Sequence, residues 1–480
     1  MKERSELVVP LPLDTYAQQF DALFVTRIQR RRFREYLAGL LLPRDRNKTL
    51  TALVGAEPIT QAQTAPVQRL QFFLSQSDWD AEAVNDRRIA LLQADPPTRA
   101  HANGVLVIDE TGDRKDGTKT AHVAHQYLGS LGKLANGIVA VTSLWADERV
   151  YYPLHVRPYT PAGRLSGGRQ DPAFRTKPQL ARELIATARQ IGIPFRAVVA
   201  DSLYGENAEL EAALWSAQVP YVLALKPSHG VWAPEAEAHS PHEAAARLDW
   251  QDADHPGGWS AVERTFRDGH HEIWWAADLR LSGYGPDQPT RLVVATTDPA
   301  RLPVHSTWYL VSTLPLAAAG LDEVVRLYGL RQWVEQSYKQ VKQELGWADF
   351  EVRSDRAIRR HWYLVCCAFT FCWWAEWRTA QSRPTAGSAP VPPVVPAQLA
   401  GASRHAEVSG VGEKSGGSRS VPVGGRIATR GGSTGVPLVA AGAAPRTQLV
   451  GAMAHAAALL ESVVLGGSPS AIAGLAACGH

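Results

Sequence analysis

Cysteine is scarce in this chain, with four in 480 residues, and three of them (Cys366, Cys367 and Cys372) share one apolar segment. No C-x-x-C pair occurs, which argues against a structural zinc site and leaves buried free thiols in a reducing cytoplasm as the reading. Net charge is also small, at +3. Any nucleic-acid contact therefore has to come from local basic patches. Long apolar runs are missing. The nearest approach, residues 362–377, is shorter than the roughly 20 residues of a membrane span. It follows Arg359, Arg360 and His361 and contains Glu376, so it reads as a buried core helix with no membrane partner. Residues 1–14 are too short and too polar for a signal peptide. Residues 129–133 include Gly-Lys without P-loop spacing, and His122, His125, His270 and His271 follow no metal-ligand pattern.

A second absence is local. Residues 379–480 contain no Trp, Tyr, Phe, Asp or Asn, although the chain as a whole is 8% aromatic. Ala, Gly, Ser, Pro and Val dominate instead. Such a segment supplies little large apolar surface against an ordering cost of roughly 1–2 kcal/mol per residue. It is expected to be a disordered, low-complexity tail without catalytic residues. Two origins stay open, a flexible tail and translation of a GC-rich gene in a shifted frame.

What remains is 45% hydrophobic and long enough for two or three domains. Residues 1–100 read as a helical N-terminal domain. One helix carries Arg27, Arg30, Arg31, Arg32 and Arg34, either a solvated face or a contact to the DNA backbone. A second helix is expected to start at Ser77 as N-cap, with Asp78 and Asp80 suiting the helix dipole. From residue 104 the pattern changes. Residues 104–109 form a short apolar run ending in Asp109, which reads as a buried strand. Strand-like runs follow at 138–145 and 150–156, then a helix at 177–191. A strand at 195–200 ends in Asp201, and a helix at 207–218 and a strand at 219–225 follow. Short connections fit an antiparallel meander for the first three strands, and helical crossovers fit parallel pairing for the rest. This order matches a ribonuclease-H-like α/β catalytic domain, its first part spanning 101–226. Residues 227–316 read as a β-rich insertion, and 317–378 complete the domain.

Two acids at the ends of buried strands must be hydrogen-bonded, paired or metal-bound, because burying a bare carboxylate is costly. Strand carboxyl ends are also where ligands bind in open α/β sheets. The helix around residue 335 adds Tyr328, Arg331, Glu335 and Lys342. At about 100° per residue these fall within an arc of roughly 60° on one helix. Leu327, Leu330, Val334, Val341 and Leu345 form an apolar stripe beside them.

With this Tyr-x-x-Arg-x-x-x-Glu-x-x-x-x-x-x-Lys pattern, residues 15–378 resemble the DDE transposases of bacterial insertion sequences, in the Tyr-Arg-Glu-Lys group. Residues 108–117 (Ile-Asp-Glu-Thr-Gly-Asp-Arg-Lys-Asp-Gly) and 126–133 are similar to one subgroup, which often has Asp where Glu110 stands. The resemblance implies that Asp109, Asp201 and Glu335 are the catalytic acids and hold two Mg2+ ions, with Mn2+ as a substitute. Asp109 would bridge both, and is preferred over Glu110 because it closes its strand. Arg331 and Lys342 would hold phosphates, and Tyr328 would pack on the backbone or a base. Trp274, Trp275 and Trp308 would be candidates for stacking an extruded base, their plainer reading being sheet core. Implied partners are double-stranded DNA, as terminal inverted repeats and target, and a second copy in a synaptic homodimer. The implied location is the bacterial cytoplasm, at the nucleoid. The rivals are a ribonuclease-H-like nuclease without strand transfer and a non-enzymatic DNA-binding descendant of a transposase. Loss of an acid would support the latter, and all three are present.

Overall fold

The computed structural model describes residues 11–231, 237–266, 270–282, 289–303 and 306–382. The tail expectation for 379–480 thus falls almost wholly outside the described residues. The chain opens with helices α1 (Leu11–Gln18), α2 (Arg27–Leu41), α3 (Leu50–Leu53), α4 (Ala65–Ser75) and α5 (Ala81–Ala94). Helix α2 starts where Thr26 and Gln29 form a reciprocal capping box. Helix α5 starts later than the sequence suggests. Its N-cap is Asp80, which accepts from the N–H groups of Glu82 and Ala83. Ser77, a cap type equally acceptable by local rules, is instead buried with its hydroxyl accepting from Gln29 Nε2 at 3.1 Å.

Ten strands among the described residues form one mixed sheet: β1 (Val105–Arg114), β2 (Ala124–Leu128), β3 (Lys133–Ala146), β4 (Tyr151–Tyr159), β5 (Ala197–Ala200), β6 (Tyr221–Ala224), β7 (Ser260–Thr265), β8 (His271–Ser282), β9 (Pro289–Thr296) and β10 (Trp308–Ser312). The order is β2-β3-β1-β5-β6-β10-β9-β8-β7, with β4 also paired to β3. β1 and β3, and β3 and β4, are antiparallel, as short connections require. β1, β5 and β6 run parallel, joined through α6 (Lys177–Gln190), then α7 (Ser202–Gly205) and α8 (Ala208–Ser216). This large mixed sheet fits a ribonuclease-H-like domain. After α9 (Pro241–Ala246), the strands from 227–316 continue the same sheet, because β10 pairs antiparallel with both β6 and β9.

The last helices are α10 (Leu321–Gly329), α11 (Gln332–Gln343) and α12 (Asp355–Ser382). The one helix expected to carry Tyr328, Arg331, Glu335 and Lys342 is therefore two, separated at Leu330 and Arg331. Gly329 lies at the break, and a Cβ there would meet Arg264 Nη2 at 2.7 Å. Helix α12 is the apolar segment noted in the sequence, and Trp362, Tyr363, Leu364, Val365 and Phe369 on it are fully buried. It packs with α1–α5 and the sheet in one continuous core. Among the described residues no helix is long and apolar enough to cross a membrane.

Candidate active site

The parallel register places the first two acids. β1 and β5 pair from Val105↔Ala197 to Ile108↔Ala200, so Asp109 and Asp201 are the next residue on each of two adjacent strands. β5 stops there, and Asp201 becomes the N-cap of α7, its Oδ1 accepting from Leu203 N–H at 3.0 Å. β1 does not stop. It runs on to Arg114 against β3, so Asp109 lies within a strand and does not close one. Its Oδ1 accepts from Glu110 N–H at 2.8 Å. Burial raises the Asp109 carboxyl well above the usual carboxylate range, with the Arg331 guanidinium opposing this and Asp201 adding to it.

The third acid arrives from α11. Glu335 lies in its first turn and is largely exposed, at 67% of its side chain. Arg331, at the α10–α11 break, ties the set together. Its Nη2 is 3.0 Å from Asp109 Oδ2 and 3.8 Å from Asp201 Oδ2, and its Nη1 is 3.7 Å from Glu335 Oε1. Burial is the largest single influence and works against the guanidinium charge, but Asp109, Tyr328, Asp201 and Glu335 together outweigh it and keep Arg331 protonated. As the side chains lie, no group of three or more His, Cys, Asp and Glu among the described residues forms a metal cage unaided.

Neighbours of the acids are engaged elsewhere. Strand alternation turns Glu110 away from Asp109. It meets Lys177 Nζ at 2.7 Å and accepts from the Tyr204 hydroxyl at 2.8 Å. Lys342 reaches back to β1, with Nζ 2.6 Å from buried Asp113 and donating to the Gly112 carbonyl at 3.0 Å. Sequence reasoning missed Tyr338, whose hydroxyl lies 2.5 Å from Thr142 Oγ1 and pins α11 to β3. Its spacing of three from Glu335 was the available signal. Burial and then Asp109 raise its hydroxyl well above the ordinary tyrosine value.

Tyr328 is buried and packs edge-on to Trp308 at 4.9 Å between centroids, and Trp308 lies 4.3 Å from Trp274. Arg264, also missed, sits over both tryptophans at 4.7 and 4.8 Å. Trp275 is next to Trp274 on β8, so it points to the opposite face, where it packs on Trp250 at 4.7 Å. The structure therefore gathers Tyr328, Trp308 and Trp274 into one cluster with Arg264 and leaves Trp275 apart.

Most of the N-terminal arginines have partners within the chain. Arg34 pairs with Asp14 at 2.5 Å and Asp21 at 2.7 Å, and Arg31 pairs with Glu35 at 2.9 Å. Arg32 is buried against Glu35, Arg30 donates to the Phe24 carbonyl, and Arg27 is exposed.

Sequence comparison supplies the kinship. Residues 19–277 match the profile of the DDE superfamily endonuclease family, a stretch that includes Asp109 and Asp201 and ends before α10. A probable transposase for insertion sequence element IS701 from Microchaete diplosiphon is 36% identical over 286 residues, spanning 59% of this chain and 68% of that protein. Matched over more than half its length, the chain belongs to the DDE superfamily of endonucleases, among the transposases of insertion sequences.

Proposed function

We propose that this enzyme binds the ends of an insertion sequence, cleaves them, and joins the freed 3′-hydroxyl to target DNA at a centre formed by Asp109, Asp201 and Glu335. The observation that carries this reading is the convergence of three carboxylates, from β1, the end of β5 and α11, on the single guanidinium of Arg331. Structural ion pairs seldom need three acids on one cation. A site that receives further cations does.

The donor set fits a hard divalent ion, since carboxylate oxygens suit Mg2+ or Mn2+ and no soft ligand intervenes. Asp109, Asp201 and Glu335 would hold two such ions. When bound, they favour attack by an oxygen nucleophile and stabilise the leaving oxygen. The chain's own groups do the rest. Water opens the phosphodiester and leaves a 3′-hydroxyl, which then attacks a target phosphodiester and displaces a second 3′-oxygen. Arg331 holds a phosphate beside the scissile bond, and Lys342 fixes the Gly112–Asp113 segment of β1 that flanks Asp109. Tyr338 and Thr142 keep Glu335 at a fixed height above β3. An extruded base would stack at Trp308, backed by Trp274 and Tyr328. Trp275, on the other face, would serve the sheet core. Of the N-terminal cluster, Arg27 and Arg31 would touch end DNA, a reading their exposure supports. Two ends call for two copies, so a homodimer is the expected working unit.

The test is cleavage of an end-containing duplex with Mg2+, followed by a strand-transfer assay on the products. Asp109→Ala, Asp201→Ala and Glu335→Ala should each abolish cutting and largely spare DNA binding. Near-wild-type cutting by any one of them removes that residue from the centre. Cleavage without strand transfer by the wild type would favour the nuclease reading.

A further inference from the structure

Arg331 is placed oddly for a residue whose only task is to hold DNA. Its guanidinium faces inward, with 18% of the side chain exposed, and its buried Nε has no hydrogen-bond partner among the described residues. Asp109 and Asp201 each commit Oδ1 to a backbone N–H, and each turns its other oxygen, Oδ2, to Arg331. These are the oxygens a bound cation would need. Asp109 and Asp201 face one guanidinium from two sides, so their like charges repel, and Arg331 offsets that repulsion as a resident positive charge. Arg331 is the N-cap of α11, directly after the turn at Leu330 that separates α10 from α11. Its long side chain can swing from the acids to a phosphate by rotation about its χ angles alone, with the backbone unmoved.

We infer that Arg331 is an internal counter-ion that occupies the acid set in the cation-free enzyme, competes with divalent ions for it, and is drawn off by a DNA phosphate. The inference rests on the reading of these acids as the cation-binding set. It makes cation binding and DNA binding mutually reinforcing, because a phosphate that takes the guanidinium releases Asp109 and Asp201.

The experiment measures Mn2+ binding to the full-length chain without DNA, by loss of the free-ion electron paramagnetic resonance signal. Wild type, Arg331→Gln, Arg331→Lys and Asp109→Ala are compared, with near-ultraviolet circular dichroism as the check on folding. Wild type should bind weakly, and Asp109→Ala should abolish that binding. Arg331→Gln should bind about 10-fold more tightly, a typical coupling magnitude. Arg331→Lys, which keeps the charge but not the planar fork, should fall between and serves if the Gln variant does not fold. Adding an end duplex should tighten Mn2+ binding in wild type much more than in either variant. If both Arg331 variants bind Mn2+ as wild type does while Asp109→Ala does not, the counter-ion inference fails and the acid assignment stands. If wild type shows no binding that depends on Asp109, both fail.

Discussion

Asp109 and Glu110 adjoin in the chain and part in space, because successive residues of a strand face opposite ways. One looks into the cleft shared with Asp201 and Arg331, and the other is clasped by Lys177 and Tyr204. Glu110→Gln should therefore cut DNA within a few-fold of wild type. It should lose about 1 kcal/mol of stability, the worth of one partly exposed charged hydrogen bond. End-cleavage rates and urea melts of the same preparation check this. A Glu110→Gln protein as dead as Asp109→Ala would move the cation set onto Glu110. The sequence alone favoured Asp109 for closing its strand, and that reason was wrong, since β1 continues to Arg114. The choice is supported by register and side-chain direction instead.

At the scale of elements, the strands that were legible are those buried on both faces. Residues 105–108 and 197–200 are unbroken apolar runs, and continuous burial leaves that mark whatever the partners are. β2 was not legible. Its Ala-His-Gln-Tyr-Leu sequence is half exposed and becomes a strand only because β3 lies beside it. The α10–α11 break was hidden for a related reason: the periodicity of 321–345 is sound, but Gly329 answers to Arg264, more than sixty residues earlier. The break also separates the fates of the signature residues. Arg331 and Glu335 meet at the acids, whereas Lys342 is held by Asp113 at the far end of β1. Lys342→Met should strand a buried carboxylate and cost about 3 kcal/mol, and Asp113→Leu with Lys342→Met should regain most of it. Urea denaturation of the two variants decides. Unchanged stability in Lys342→Met, with a weakened and less salt-dependent grip on end DNA, would return Lys342 to the phosphate-binding role its spacing suggested.

Across the whole molecule, the N-terminal helices and α12 are bound by polar contacts as well as by core. The Tyr16 hydroxyl donates to the Cys367 carbonyl at 3.1 Å, and the Tyr36 hydroxyl lies 2.8 Å from His361 Nδ1. Arg88 Nη1 donates to Thr370 Oγ1 at 3.2 Å, and Arg360 Nη1 to the Leu74 and Ser77 carbonyls at 2.9 and 2.8 Å. A fragment beginning near residue 101 should therefore lack near-ultraviolet circular dichroism and aggregate. A soluble, cooperatively melting fragment would mean that the N-terminal helices fold and function apart. The same arrangement has a consequence in time. α5 ends at Ala94 and α12 begins at Asp355, so the first helices leave the ribosome long before the helix that covers them is made. At roughly 5–20 residues per second the interval is on the order of tens of seconds. During it Tyr16 and Tyr36 lack their neighbours on α12, and chaperone demand should track the speed of translation between those two points.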